Sequence, residues 1–126
     1  MVRGQVSMMP TVSVVIPTYK RHEQVQAAAR SALFQTRKPD EVLVVNDGPD
    51  AELRAIFSGA EWNDIKFVEA PRRGIPAATR NYGIRESKCS HVALLDDDDV
   101  WLPKKHEIQI ASAERTKSNV IFGARE

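Results

Sequence analysis

Four consecutive aspartates occupy positions 96–99 of this chain, between the apolar run HVALL and the segment VWLP. Like charges side by side repel, and at the edge of a packed core they also lose solvation, so a cationic partner is needed to offset the arrangement. Carboxylate oxygens are hard ligands that suit Mg²⁺, Mn²⁺ and Ca²⁺. In an extended segment successive side chains alternate, which turns Asp96 and Asp98 to one side and Asp97 and Asp99 to the other, so only some of the four need touch an ion. Mg²⁺ or Mn²⁺ held by one or two carboxylates fills its remaining positions with water and substrate phosphates, which makes a diphosphate the natural companion. The competing reading is a solvated turn with an aspartate capping a helix at Pro103.

Other metal and phosphate schemes fit poorly. An EF-hand starting at Asp96 would place Val100 and Trp101 at its fifth and sixth positions, where an oxygen ligand and a glycine are required. Neither a P-loop (G-x-x-x-x-G-K-[ST]) nor a dinucleotide fingerprint (G-x-G-x-x-G) occurs. His22, His91 and His106 fall on different predicted elements and read as structural or exposed. Cys89 is the only cysteine, which excludes an internal disulfide and a cysteine-based zinc site and suits a reducing compartment.

The elements that must position the aspartates are legible as short apolar runs alternating with helical stretches. The runs are VSVVIP (12–17), EVLVVN (41–46), IKFVE (65–69), HVALLD (91–96) and NVIFG (119–123). They are mostly continuous rather than alternating, the pattern of strands buried on both faces of a parallel sheet. Between the first two, Val25, Ala28, Ala29, Ala32 and Leu33 mark one face of a helix ending near Pro39. AELRAIFSGA predicts a second helix closed by Gly59, IPAATRNYGIRES a third with Pro76 in its first turn, and PKKHEIQIASAERT a fourth with Pro103 in its first turn. The order β-α-β-α predicts a layered α/β fold, in which ligands sit at the carboxyl ends of the strands.

With 126 residues, 42% of them hydrophobic, the chain can build one domain around one core. Eighteen Lys and Arg against 17 Asp and Glu leave a formal charge of +1, so no global field favours nucleic acid or an anionic membrane. Electrostatics that matter must be local. The apolar run near the N-terminus is too short to span a bilayer and is interrupted by Pro10, Thr11 and Ser13, so no transmembrane segment is expected. The expected location is cytoplasmic, with any attachment to the inner face of a membrane left to parts outside this chain.

The residues following the strands test function. They are Pro17, Thr18 and Tyr19 after the first, Asn46, Asp47 and Gly48 after the second, PRRG after the third, and the aspartates after the fourth, with Arg80 and Asn81 on the third helix. Acids and bases on one rim suit a metal-bound phosphate.

In this order and spacing, VSVVIPTYKR, EVLVVNDG, GIPAATRNYGI and ALLDDDDVWLPKK resemble family 2 glycosyltransferases over residues 10–123. The resemblance implies the GT-A fold, a three-layer α/β/α sandwich with a mostly parallel, Rossmann-like sheet, and a single donor-nucleotide-binding domain over residues 1–126. It implies transfer of a sugar from a nucleoside diphosphate sugar, UDP-linked, to a glycan, lipid or protein acceptor, with inversion and with Mn²⁺ or Mg²⁺ as cofactor. By the same resemblance Pro17, Thr18 and Tyr19 hold base and ribose. Asp47 faces the base, and Asn46 stands where the family often has a second aspartate. Arg80, in TRN where the family reads ARN, lies near the diphosphate. Asp98 ligates the metal, joined by Asp96, while Asp96 or Asp97 reaches the ribose or sugar. Trp101 is expected to pack under the acidic loop. Family members normally continue into an acceptor-binding half carrying a general base, and no candidate for that base is found in this chain, so no catalytic residue is assigned. A non-catalytic nucleotide-sugar-binding module therefore stands as an alternative. A nucleotidyltransferase is a weaker one, since PTYKR lacks the glycines it would want.

Overall fold

The computed structural model describes residues 11–116 and 120–122. Five parallel strands form one sheet: β1 (Val12–Thr18), β2 (Glu41–Asp47), β3 (Ile65–Ala70), β4 (His91–Leu94) and β5 (Val120–Phe122), in the order β3-β2-β1-β4-β5. Val14, Val15 and Ile16 of β1 and Leu43, Val44 and Val45 of β2 are all fully buried, because both faces of the sheet are covered. On one face lie α1 (His22–Leu33), whose Val25, Ala28, Ala29 and Ala32 meet Val12, Val14 and Ile16, and α2 (Ala51–Phe57), which contributes Leu53 and Phe57. α4 (Lys105–Thr116) adds Ile110 to the same cluster. On the other face Val15, Leu43 and Val45 pack against Tyr82 and Ile84 of α3 (Pro76–Glu86). This is a three-layer α/β/α arrangement.

α3 lies unusually close to the sheet. A Cβ on Gly83 would come within 2.6 Å of a Val15 methyl and 2.8 Å of a Val45 methyl, so only glycine admits this approach. α2 starts at Asp50, whose side chain accepts the Leu53 N–H at 2.9 Å, an N-cap typically contributing about 1 kcal/mol.

Successive strands β1, β2 and β3 step to one side, while β4 and β5 lie on the other side of β1, so the order reverses between β1 and β4. The chain opens a crevice at that point. The Val15 carbonyl still accepts the Leu95 N–H, but β4 has ended at Leu94. Pro17, two residues beyond Val15, would direct its missing N–H to the same vacated side, which is why a proline is tolerated in a central strand.

Three boundaries differ by two or more residues from the sequence reading. The first helix, expected to end near Pro39, stops at Leu33. The fourth strand, expected to reach 96, stops at Leu94 because the chain turns at the aspartates, and Asp99 N–H bonds Asp96 O at 3.1 Å. The fourth helix, expected from Pro103, begins at Lys105, because the preceding carbonyls serve the end of α1. Leu102 O accepts Gln35 Nε2 at 2.7 Å, and Pro103 O accepts the Thr36 N–H at 2.8 Å. The expected ends of the fifth strand, Asn119 and Gly123, lie outside the described residues, as do the first ten positions. Among the described residues no helix is long and apolar enough to cross a membrane.

Candidate functional site

The carboxyl ends of β1, β2 and β4 and the first turns of α3 enclose a cleft of about 390 Å³. Pro17, Thr18, Tyr19, Asp47, Arg80, Asp96, Asp97 and Asp98 all line it, so every site residue expected from the sequence borders one space. Arg21, Arg72, Gly74, Pro76 and Thr79 complete its wall. Asn81, grouped with Arg80 on the sequence, instead faces an exposed groove beside Tyr82 and Arg85.

At one end the loop after β3 closes on Asp47. Its carboxylate pairs with the Arg72 guanidinium and accepts the N–H groups of Arg73 at 2.8 Å and Gly74 at 2.9 Å. Burial works to raise this carboxyl, but the two amides and the Arg72 charge outweigh it and hold its pKa below the ordinary value. Arg72 also lies 4.0 Å over the Tyr19 ring, a cation–π contact that ties the loop after β3 to the loop after β1. Gly48, at φ +96°, makes room for this loop, since a Cβ there would stand 3.0 Å from the Arg72 Cβ.

Across the crevice the aspartates form a turn rather than the extended segment expected. Asp97 points inward, accepting Thr18 Oγ1 at 2.8 Å and Arg21 Nη1 at 3.3 Å. Burial, with Asp98 and Asp96 adjacent, raises its pKa despite the Thr18 hydrogen bond and the Arg21 charge. Arg21 reaches Asp98 as well, at 3.4 Å. Asp96, Asp98 and Asp99 bring one carboxylate oxygen each within 4.8 Å of one another. The sequence expectation put Asp99 with Asp97, away from Asp96 and Asp98. The turn corrects it, because strand alternation fails once the chain bends. Three hard oxygens converging in this way fit a divalent cation of the Mg²⁺ or Mn²⁺ type.

Trp101 supports this turn from below. It is 5% exposed, its backbone N–H bonds Ser31 Oγ at 3.0 Å, and its ring stacks on His106 at 6.1 Å between centroids. His106 is fully buried with neither ring nitrogen hydrogen-bonded, and burial together with the nearby Arg37 lowers its pKa to about 4. His22 is different: its Nε2 lies 2.7 Å from Asp50 and its Nδ1 3.5 Å from Glu52.

Residues 13–126 match the family model for glycosyl transferase family 2. The chain belongs to that family. An uncharacterized glycosyltransferase of Rickettsia conorii is 35% identical over 112 residues, covering 88% of this chain and 18% of that protein. The Escherichia coli UDP-Glc:alpha-D-GlcNAc-diphosphoundecaprenol beta-1,3-glucosyltransferase WfgD is 29% identical over 117 residues, covering 91% of this chain and 46% of the relative. The chain thus spans less than half the length of these relatives. Among solved structures, Staphylococcus aureus TarS 1-349 in complex with UDP superposes with a TM-score of 0.70 at 23% identity, covering 86% of this chain and 33% of that one. The α/β/α sandwich is that of GT-A glycosyltransferases.

Sequence reasoning passed over Arg21, Arg72 and Thr79. PRRG after the third strand marked cations near the rim without choosing between Arg72 and Arg73, and PTYKR held Arg21 in plain view. Thr79 carried no signal beyond its place beside Arg80.

Proposed function

We propose that this chain forms the donor half of a glycosyltransferase, binding a UDP-linked sugar with Mn²⁺ or Mg²⁺ for inverting transfer to a glycan, lipid or protein acceptor. The observation that carries this reading is the gathering of Tyr19, Asp47, Arg80 and Asp96–98, from four separate segments, around one cleft at the point where the strand order reverses. The choice of uridine diphosphate is supported by the TarS complex with UDP and by the UDP-Glc specificity in the name of WfgD.

In this reading Pro17, Thr18 and Tyr19 seat base and ribose, and Asp47, held ionised by its amide partners, accepts a hydrogen bond from the base. Arg80 offers a planar fork of donors to phosphate oxygens. Asp98 and Asp96 hold the ion, and Asp97 reaches the ribose or sugar. An ion held there would supply stabilisation of the charge that develops on the diphosphate leaving group. Arg21 keeps Asp97 and Asp98 in place from one side of the turn. The general base belongs to the acceptor side and is not among the residues assigned here.

The test is a calorimetric titration of UDP into the chain with Mn²⁺ and again with excess chelator, alongside an assay for sugar transfer and donor hydrolysis. Tight binding that weakens on chelation is the expected result. Equal affinity in both conditions would remove the metal from the reading, and binding without turnover would assign the isolated chain a donor-binding role alone.

A further inference from the structure

The Thr79 hydroxyl makes no hydrogen bond within the fold. Thr79 sits in the second turn of α3, 3% exposed, and its Oγ1 has no hydrogen-bond partner. A threonine inside a helix commonly returns its hydroxyl to the carbonyl four residues back. Here that carbonyl, Ile75 O, receives the N–H groups of Ala78 at 3.0 Å and Thr79 at 3.4 Å instead. A buried hydroxyl without a partner is destabilising, and a fold that keeps one needs a reason.

Its position supplies the reason. Gly83, four residues on, presses against Val15 and Val45. Thr79 lies on the same stripe one turn nearer the carboxyl ends of the strands. It therefore stands over Pro17 and Asp47, the next residues outward on that face of β1 and β2. All three line the cleft. Asp47 is already paired with Arg72 and two backbone amides, so a neutral hydroxyl beside it suits a neutral group rich in donors and acceptors.

We infer that Thr79 is a further binding contact for the donor: its hydroxyl, sealed from solvent in the empty fold, turns about χ1 to the cleft wall and hydrogen-bonds the nucleoside, through a base edge or a ribose hydroxyl, rather than the diphosphate. This rests on the donor-site reading above. The anionic turn that would hold the diphosphate through a cation follows β4, on the other side of β1, so the two contacts act on different parts of one ligand.

The experiment titrates UDP into the full chain and into Thr79→Val and Thr79→Ser, each with Mn²⁺ and with chelator, and records Tm without nucleotide. Valine keeps the shape and removes the hydroxyl. Thr79→Val should bind UDP about 5- to 10-fold more weakly, the worth of one net hydrogen bond, and by the same factor with and without metal. Thr79→Ser should stay within about 2-fold of the parent, because it retains the donor. Nucleotide-free Thr79→Val should melt no lower than the parent, since no hydrogen bond is lost from the empty fold. Parental affinity in Thr79→Val overturns the inference, and so does a lower Tm, which would mark the hydroxyl as structural. A loss seen only with Mn²⁺ overturns the nucleoside assignment in favour of the diphosphate. A parent chain that binds no UDP in either condition overturns the donor-site reading itself and this inference with it.

Discussion

The two ends of the cleft treat charge in opposite ways. At Asp47 one carboxylate is met by a guanidinium and two backbone amides, and the guanidinium is shared with the Tyr19 ring. At the turn four carboxylates stand together, and one guanidinium, Arg21, bridges two of them at 3.3 and 3.4 Å. The first end joins one carboxylate to three donors; the second gathers three carboxylate oxygens within 4.8 Å of one another, a hard donor set of the kind a divalent cation takes. A ligand with a neutral head and a metal-complexed anionic tail matches both ends at once. Either end alone would be an ordinary polar surface.

The strongest way to break this contrast is at the turn. Asp98→Asn keeps the shape and removes a charge that faces the cleft, so Mn²⁺-dependent UDP affinity should fall by about 10- to 100-fold, the range seen when a metal site is disturbed. Asp99→Asn should cost less than about 10-fold on the same scale. Asp99 belongs to the carboxylate triad but does not line the cleft. Calorimetry with and without chelator checks both, and equal losses for the two variants would contradict the geometry.

The next effect lies beneath the turn. His106, buried under Trp101, has a pKa lowered from 6.5 to about 4, so the unfolded chain binds a proton that the folded chain refuses. Stability is therefore full above pH 6.5, falls as pH drops from 6.5 toward 4, and levels below that. Between pH 7 and pH 5 the loss should be about 2 kcal/mol, at about 1.4 kcal/mol per unit. His106→Leu should flatten this slope in chemical denaturation. An unchanged slope would mean that the imidazole finds a partner on protonation.

These two tests also mark where sequence reasoning succeeds and where it stops. Buried parallel strands advertise themselves, because Val14 to Ile16 and Leu43 to Val45 must be apolar on both faces. Pro76 and the Val25–Ala28–Ala29–Ala32 stripe locate their helices for equally local reasons. The rim residues follow, since strand ends in such a sheet converge. What sequence could not supply was pairing across the crevice. Nothing local to PRRG says that Arg72 rather than Arg73 reaches Asp47 with its side chain, while Arg73 contributes only its amide. Nor does the alternation rule foresee a turn that swings Asp99 round to Asp96 and Asp98. The hydroxyl of Thr79 is exceptional only for lacking a partner, a property of the folded neighbourhood rather than of the residue.

At the first end, Asp47→Asn should be milder than Asp98→Asn in metal dependence but costly to the fold. The amide removes the charge partner of Arg72 and accepts less well from Arg73 and Gly74. A loss of about 1–3 kcal/mol in stability is expected, typical of disturbing a buried hydrogen-bonded polar group. The lowered pKa of Asp47 makes the same contribution pH-dependent: it is present above the ordinary carboxylate range and lost as pH falls through the folded pKa. Melting curves of parent and variant should therefore converge in acid. If they stay equally separated at low pH, the loop after β3 is held by something other than the Asp47 charge.

The smallest effect has the opposite sign from that of His106. His22, the first residue of α1, faces the Asp50 carboxylate that caps α2, so it ties the segments following β1 and β2 together behind the Asp47 end. The Asp50 hydrogen bond raises its pKa, opposed by burial and helped by the charges of Asp50 and Glu52. A raised folded-state pKa means that the stabilisation is fully present below pH 6.5 and is lost as pH rises through the folded value. Its size should stay within about 0.2–1 kcal/mol, because the pair is partly open to solvent and screened by salt. The two histidines must be separated to see it. In a His106→Leu background the remaining fall in stability from pH 6 to pH 8 should disappear on His22→Gln, and should shrink in 0.5 M salt while the His106 slope in the parent does not. Acid then loosens the core beneath the anionic turn while tightening the tie behind the Asp47 end. A His22→Gln chain with the parent's slope would show that the tie, though formed, does not hold the two loops together.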